Sequence, residues 1–441
     1  MSTIQSPAAA RRTFLTLSFT RWFSVGLVVG IFMLWILERG LTISEAAFAM
    51  SFTGIVVFLL ELPTSGFADA FGRRPIYVTS AVFGVLSSVA LLVAHSFAAF
   101  VVAAVLTGVF RALDSGPLEA WFVDTVHATE PDADVDGALA AQGTVVGVAI
   151  GLGALVSGGL IVWHPVTGQS ALWLPVLCGA VFSVVHLGMV LLLLKEPRSA
   201  EHLDASGLGR AMASAKDAPT VVRDGLHVMR TSRVLRGLML ADVAWAIAMV
   251  VFEMFQPVRL AELLGSEEAA GAWMGPIAAG GWAAVAAGSA LAGATSKRIG
   301  VSRAAILGRI LNSIGAVVMG LVAGPVALVA AFAFTYSMHG FLGPMHAALL
   351  HRVAHARNRA TVLSMNSMVA FAAYTVAAPL LGLLAEGVST QTAMVVAGTV
   401  SLLGLFAYLP ARRAERERAA SQAARSTEPE ESSAEGLPTH P

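Results

Sequence analysis

The sequence predicts an all-α integral membrane protein with twelve transmembrane helices arranged in two six-helix bundles. Of its 441 residues, 56% are hydrophobic and only 13% are charged, and the mean hydropathy is +0.74. A water-soluble domain of this composition would expose too much apolar surface, so a lipid bilayer is the expected solvent. Apolar runs of about 20 residues, the length that crosses a bilayer as a helix, recur along the whole chain.

The apolar runs are continuous and do not alternate with polar residues. A segment in lipid must satisfy its backbone polar groups internally, and β-barrel strands would show alternation, so helices are expected. The predicted spans are 18–38, 44–66, 76–95, 97–124, 139–162 and 170–194, followed by 237–261, 271–295, 303–323, 325–350, 361–385 and 390–410.

A long polar segment divides these spans into two sets of six. The predicted domains are an N-terminal bundle (1–195), a cytoplasmic linker (196–236), a C-terminal bundle (237–410) and a disordered cytoplasmic tail (411–441), whose composition is too polar to form a core. The Gly-Pro pair in the fourth span, Gly116 and Pro117, has a counterpart in the tenth, Gly343 and Pro344. Such matches indicate an internal repeat.

The distribution of positive charge predicts the orientation. If both termini are cytoplasmic, 23 of the 28 Lys and Arg residues fall on cytoplasmic segments and only Arg39 and Arg259 fall on outer loops. This asymmetry follows the positive-inside rule. We therefore expect a multi-pass plasma membrane protein with both termini in the cytoplasm. The excess of Arg over Lys, 25 against 3, is typical of a GC-rich bacterial genome and so favours a bacterial inner membrane.

Several functional classes are not indicated by the sequence. It contains no Walker phosphate loop, metalloprotease motif or serine nucleophile elbow, and the single cysteine, Cys178, cannot form an internal disulfide or a thiolate metal cluster. A formal net charge of zero does not favour nucleic-acid binding. We therefore expect a secondary transporter, which is a protein driven by an ion gradient. It is expected not to be an enzyme and to have no cofactor or metal.

The loop between the second and third spans carries the most specific motif. Its residues Asp69, Gly72, Arg73 and Arg74 resemble the loop signature of the major facilitator superfamily, although Ser65 and Ala70 depart from that pattern. The resemblance implies the fold of that superfamily and alternating access. Asp69 at the membrane face is expected to form a latch that one conformation makes and the other breaks.

The fourth span carries Arg111, Asp114 and Glu119, which at 100° per residue fall within an arc of roughly 140° and so form one polar face. This stretch is similar to the fourth-helix motif of drug and proton antiporters in the superfamily, with one extra residue between Arg111 and Gly116. A buried carboxyl beside an arginine can load and unload a proton. A static network of ion pairs between helices is the alternative interpretation.

Further polar residues lie within the predicted spans. Arg21, Glu61 and Glu253 are additional candidates for proton coupling or for the wall of a cavity. Asp242 and Arg309 are interpreted as side chains that reach the membrane surface from near the helix ends. Gly116, Pro117, Gly343 and Pro344 are candidate hinges, because proline removes a backbone hydrogen bond from a helix.

The favoured function is proton-coupled efflux of a small amphipathic organic compound, such as a drug or a metabolite. The spans contain few amide side chains, which favours a cargo less polar than a sugar. Two alternatives remain open, namely proton symport for nutrient uptake and a membrane receptor or lipid-handling protein without ion coupling. The expected partners are a small-molecule substrate, the proton and the lipid bilayer, and the protein is expected to be a monomer.

Overall fold

The computed structural model describes residues 5–195, 223, 229–354 and 359–427, and the side chains of 61–70, 359–361, 364 and 422–427 lie outside this description. The regular elements of the described residues are all helical. The first half contains α1 (Pro7–Val29), α2 (Phe32–Glu38), α3 (Ile43–Phe71), α4 (Arg73–Val93), α5 (Phe97–Asp114), α6 (Pro117–His127), α7 (Asp136–Trp163) and α8 (Trp173–Leu193). The second half contains α9 (Arg233–Met249), a π-helical segment (Val250–Phe255), α10 (Gln256–Leu264), α11 (Glu267–Ile299), α12 (Val301–Leu321), α13 (Pro325–Val353), α14 (Arg359–Gly387), α15 (Thr390–Leu402), α16 (Gly404–Ala407) and α17 (Leu409–Thr427).

Eleven helical segments of the described residues are long and apolar enough to cross a membrane. A twelfth is present if α1 and α2, which meet at an angle of 45°, form one span. The predicted all-α membrane fold is confirmed. The predicted linker, 196–236, lies largely outside the described residues, and α9 begins at Arg233 within its last few positions.

Both ends of the described chain lie at one end of the bundles, which we call the termini end, and the opposite end is called the far end. Helix starts at the far end are fixed by hydroxyl caps. The Thr42 hydroxyl accepts a hydrogen bond from the Glu45 backbone nitrogen while Glu45 accepts one from the Thr42 nitrogen, a complete capping box. Ser96, Ser266 and Ser389 cap α5, α11 and α15 in a similar way. These caps satisfy backbone donors that would otherwise lack partners.

The fourth span is broken, so the prediction of one continuous helix over 97–124 is wrong. Helix α5 ends at Asp114, and α6 begins at Pro117. Gly116 between them has a φ of +93°, a conformation that favours glycine, and proline suits the first position of the new helix because its missing N–H has no partner there. The counterpart pair, Gly343 and Pro344, lies inside α13, which continues without a break.

The seventh span changes its winding where Glu253 lies. The π-helical segment Val250–Phe255 follows α9 directly and is followed by α10, whose second residue is Pro257. A proline at this point cannot donate the hydrogen bond that an uninterrupted helix would use. Short π-helical segments occur often at functional sites, because they redirect side chains relative to a regular helix.

Within the part of the chain that the structure describes, the hydrophobic core shared by the two halves lies at the far end. That core contains residues of both halves, including Trp35, Phe100, Ile161, Leu172, Phe255, Leu260, Met319 and Leu381. At the termini end each half has its own core, with Phe14, Tyr77 and Trp121 in the first half and Leu235, Leu349 and Tyr408 in the second. Among the described residues, the halves are therefore packed together at the far end and separate at the termini end.

The spacing between α7 and α11, which come from different halves, shows the same divergence. A Cβ atom added to Gly158 would lie 3.0 Å from the Ala272 carbonyl oxygen, and one added to Gly151 would lie 3.7 Å from the Ala279 Cα. Toward the termini end, a Cβ atom on Gly143 would meet no atom within 4 Å. Glycines permit the close approach at one end, and the helices spread apart toward the other.

The tail differs from its prediction, because the disorder expected from residue 411 onward is wrong up to residue 427. Helix α17 covers Leu409–Thr427, and the remainder of the tail lies outside the described residues. Glu415 holds α17 against the second bundle by accepting hydrogen bonds from the backbone nitrogens of Val301 and Ser302 at 3.3 and 3.1 Å. It also pairs with Arg352 at 2.8 Å. A carboxylate at the start of α12 is favoured by the helix dipole.

Candidate functional site: a central cavity between the two bundles

A cavity of about 1020 Å³ lies between the two halves. Both halves contribute to its wall, and its lining combines apolar and aromatic side chains with a small number of charged ones. A cavity of this size and composition fits a small organic molecule. Because the halves are joined at the far end and separate at the termini end, the cavity is closed toward the far end.

In the first half, Arg21 of α1 and Asp114 of α5 form a buried ion pair. The Arg21 Nε donates to the Asp114 Oδ2 at 3.1 Å, and the side chains are 8% and 18% exposed. The Arg21 guanidinium also lies 4.1 Å from the centre of the Phe110 ring, so it is held by an aromatic face as well as by a carboxylate. Arg21 lines the cavity.

The break at Gly116 separates Glu119 from Arg111 and Asp114, so the predicted single polar face of these three residues is wrong. The Glu119 carboxylate accepts a hydrogen bond from Gln142 of α7 at 2.5 Å. Arg111 instead points into the cavity, where its guanidinium lies 5.4 Å from the centre of the Phe371 ring of the second half. The three residues therefore have three different environments.

Arg111 and Glu253 face the same cavity from opposite halves. Both side chains lie deep within the protein, and the surface that they expose faces the cavity. Their charges interact electrostatically, but the two groups form no direct ion pair. Among the described residues, neither has a hydrogen-bond partner, and an unpaired charge at this depth is costly.

The second half contains a buried polar cluster that the sequence interpretation missed. The Asp242 carboxylate accepts a hydrogen bond from Asn366 at 2.7 Å and lies 3.6 Å from the His346 Nε2. The His346 Nδ1 lies 3.0 Å from the Tyr408 hydroxyl. Arg309, fully buried, donates to the Ala241 carbonyl at 3.1 Å and interacts electrostatically with Asp242.

Asp242 and Arg309 therefore do not reach the membrane surface, and that interpretation is wrong. Asp242 is on the first span of its half, as Arg21 is in the first half, and His346 is on the fourth, as Asp114 is. Each half thus pairs an acidic with a basic side chain between its first and fourth spans. This repeat of position, with the acidic residue on the first span instead of the fourth, is the signal in the sequence that could have identified Asp242.

One wall of the cavity is a row of stacked aromatic rings from the second half. Tyr336 stacks on Phe332 with ring centres 4.9 Å apart and on His339 with centres 5.5 Å apart. Trp245 extends the row beyond His339, again with centres 5.5 Å apart, and its indole N–H donates to the His339 Nδ1 at 3.0 Å. These four residues, which we call the aromatic wall, all line the cavity.

The residues of the predicted latch loop lie at the termini end, away from the cavity. Gly72, with a φ of +91°, joins α3 to α4, and Gly300 occupies the corresponding position of the second half with a φ of +86°. The Arg73 Nε lies 3.4 Å from the Asp124 Oδ2, and the Arg74 Nε donates to the Leu194 carbonyl at 2.7 Å. The side chains of Asp69 and of the cavity candidate Glu61 lie outside the described residues.

Comparison with known proteins gives the same architecture. None of the curated proteins matches the chain. Among solved structures, the nucleoside transporter NupG is similar with a TM-score of 0.72 and 12% identity, over 91% of this chain and 98% of that one. Tetrameric PepTSo2 is similar with a TM-score of 0.67 and 13% identity, over 95% and 99%.

A third similar structure is a POT family transporter in complex with a thioalcohol conjugated peptide, with a TM-score of 0.65 and 15% identity, over 90% of this chain and 95% of that one. At such low identity these likenesses show the fold. The sequence model described as Major Facilitator Superfamily matches residues 14–291 and 260–436, which is nearly the whole chain. The chain therefore belongs to the Major Facilitator Superfamily and is a multi-pass membrane transporter.

Proposed function

We propose that the protein exports a small amphipathic organic compound across the plasma membrane by alternating access, driven by protons that enter the cell. The observation that carries this proposal is the cavity of about 1020 Å³ between two bundles that are closed together at only one end. A solute in this cavity could leave toward the termini end. Reversing the closure would expose it at the far end, which is the cycle a secondary transporter needs.

The mixed lining of the cavity supports an amphipathic cargo. The aromatic wall and other apolar side chains offer contact to a hydrophobic body, while Arg21, Arg111 and Glu253 supply charge at a few defined points. Sites for small organic molecules generally combine a largely apolar surface with a few placed polar groups.

The ion pair between Arg21 and Asp114 supports proton coupling. A proton on Asp114 would remove the charge that Arg21 pairs with, and the two residues lie on different helices of one bundle. Protonation would therefore change how α1 and α5 are held together, which links a chemical event to a movement of helices. The Asp242 and His346 pair supplies a second site of the same kind.

The test is a substrate screen in inverted membrane vesicles with an imposed pH gradient. We expect accumulation of at least one amphipathic compound in vesicles that contain the parent protein, no accumulation with Asp114→Asn, and full accumulation with the control Glu417→Gln, a change at an exposed position of α17. If every transported compound moves independently of the gradient, the coupling proposal is wrong.

The same screen separates export from the rival, proton symport for uptake. Export appears as accumulation in inverted vesicles, whereas symport appears in right-side-out vesicles with an inward proton gradient. The orientation is tested separately with an epitope tag after Pro441, which should be accessible to antibody only after the cells are permeabilised. Labelling of intact cells would reverse the proposed orientation.

A further inference from the structure

Arg111 and Glu253 are two opposite charges in the cavity that have no part in the proposed proton coupling. Arg111 comes from α5 of the first half and Glu253 from the π-helical segment of the second, so the cavity lies between them. Neither group has a hydrogen-bond or ion-pair partner among the described residues, in contrast to Asp114, Asp242 and Glu119. Opposite charges left unpaired on two walls of one cavity complement a molecule that carries both charges.

Gln256 is a second, independent observation at the same place. It lies three residues after Glu253, lines the cavity and is fully buried. Within the described part of the chain, neither atom of its side-chain amide has a hydrogen-bond partner. Buried amides in proteins are nearly always hydrogen-bonded, so this amide is an unsatisfied polar group directly behind the cavity wall at Glu253.

The aromatic wall indicates the shape of the part of a bound molecule that would lie between its two charged groups. Phe252 packs on this wall, with its ring centre 5.6 Å from that of Tyr336 and 5.4 Å from that of His339. Tyr336 also interacts electrostatically with Glu253, so the wall reaches the acidic residue. Stacked rings favour contact with another flat ring. Because the Trp245 N–H can only donate, the His339 Nδ1 accepts, and in the neutral imidazole the N–H of Nε2 remains as a donor.

We propose that the transported compound is a zwitterion with a flat aromatic body, whose ammonium group lies at Glu253 and whose acidic group lies at Arg111. This inference rests on the proposed function, since it names the class of cargo for the same cavity. Binding such a molecule neutralises both unpaired charges at once, which a singly charged compound cannot do. A bound cation would leave the positive charge of Arg111 unpaired, and a bound anion would leave the negative charge of Glu253 unpaired.

The test is equilibrium binding to the full-length protein in lipid nanodiscs, measured by calorimetry without a proton gradient. The probe is a biphenyl with an aminomethyl group at one para position and a carboxylate at the opposite one. Its matched analogues carry only the amine or only the carboxylate. We expect the zwitterion to bind about tenfold more tightly than either analogue.

The variants assign each charge to its partner. Glu253→Gln should make the zwitterion bind no better than the carboxylate analogue, and Arg111→Gln should make it bind no better than the amine analogue. The control Glu417→Gln should change none of the three affinities. Melting temperatures of the variants in the same nanodiscs, equal to that of the parent, exclude misfolding as the cause of a loss.

Two outcomes would overturn the inference. One is that a singly charged analogue binds the parent as tightly as the zwitterion, and the other is that the parent does not bind the zwitterion. Because the measurement needs no gradient, its result is separate from the coupling proposal. If the protein exports only singly charged compounds and does so with a proton gradient, the proposed function stands and only the zwitterionic cargo is ruled out.

Discussion

Glu386 of α14 accepts hydrogen bonds from both the backbone nitrogen and the hydroxyl of Ser44, at 2.8 and 2.7 Å. Ser44 is in the first turn of α3, so a carboxylate of the second half lies at a helix N-terminus of the first, where the helix dipole favours it. A second contact between the halves at this end joins His164 and Glu268, 3.3 Å apart. Both contacts must break if the cavity is to open at the far end.

Replacing Glu386 should therefore favour opening at the far end. Two hydrogen bonds in an exposed position contribute about 0.5–1.5 kcal/mol each, so we expect Glu386→Ala to raise the ratio of open to closed protein roughly tenfold. The measurement is the distance between spin labels introduced at Thr167 and Ala323, on far-end loops of different halves, with Cys178 replaced by alanine. A distance distribution identical to that of the parent would show that this contact does not hold the far end closed.

Replacing only one partner of the Arg21 and Asp114 ion pair should lower the stability of the protein more than replacing both partners together. Removing one partner leaves a buried charge uncompensated, a loss of about 3–5 kcal/mol, whereas replacing both with apolar residues is often nearly neutral. We expect Asp114→Leu to lower the melting temperature in detergent strongly, and the double variant Arg21→Met with Asp114→Leu to recover most of the loss. Equal destabilisation in the single and double variants would contradict this account of the pair.

The close approach of α7 and α11 predicts different responses to the same change at two glycines. A Cβ atom on Gly275 would lie 2.7 Å from the Ala154 carbonyl oxygen, whereas one on Gly143 would meet nothing within 4 Å. Gly275→Ala should destabilise the closed far end by about 1–3 kcal/mol through overpacking and should reduce transport, while Gly143→Ala should not. Thermal denaturation and vesicle transport measure the two effects. A Gly275→Ala protein indistinguishable from Gly143→Ala would show that the helices can separate at no cost.

Glu415 should determine whether α17 stays docked. Because Glu415 accepts from Val301 and Ser302 and pairs with Arg352, Glu415→Ala removes all of these contacts. We expect faster hydrogen exchange of the amides of 411–421 and of the first turn of α12, measured by mass spectrometry. Glu417→Ala, two positions away on the same helix, should leave exchange unchanged. Unaltered protection in Glu415→Ala would mean that apolar packing alone holds the tail helix.

The sequence predicted the membrane fold and the division into two bundles because both depend on composition over long segments. Breaks inside spans were harder to predict, since hydropathy does not change at them. The Gly116 and Pro117 pair did mark a break, but the identical dipeptide at Gly343 and Pro344 lies in an unbroken helix. What distinguishes the two is the tertiary environment of each helix, which the local sequence does not contain.

The sequence likewise predicted only part of the candidate site. That Glu253 lies away from the helix ends was apparent from its position in the span, and the structure places it at the cavity. The partners of the other charges were not predictable, because they come from distant parts of the chain: Arg21 pairs with Asp114, and Asp242 bonds to Asn366. Assuming an unbroken helix also grouped Glu119 with Asp114, although a left-handed glycine separates them.

The widening gap between α7 and α11 makes the pair an unequal lever. Their tightest contact, at Gly158 and Gly275, is a fulcrum close to one extremity of α11. At 1.5 Å per residue, the arm from Gly275 to Ile299 is roughly 36 Å long and the arm to Glu267 roughly 12 Å. Tilting one helix by about 10° would sweep the long arm through roughly 6 Å and the short arm through roughly 2 Å. A tilt that closes the gap at the termini end would thus open the far end by only about 2 Å.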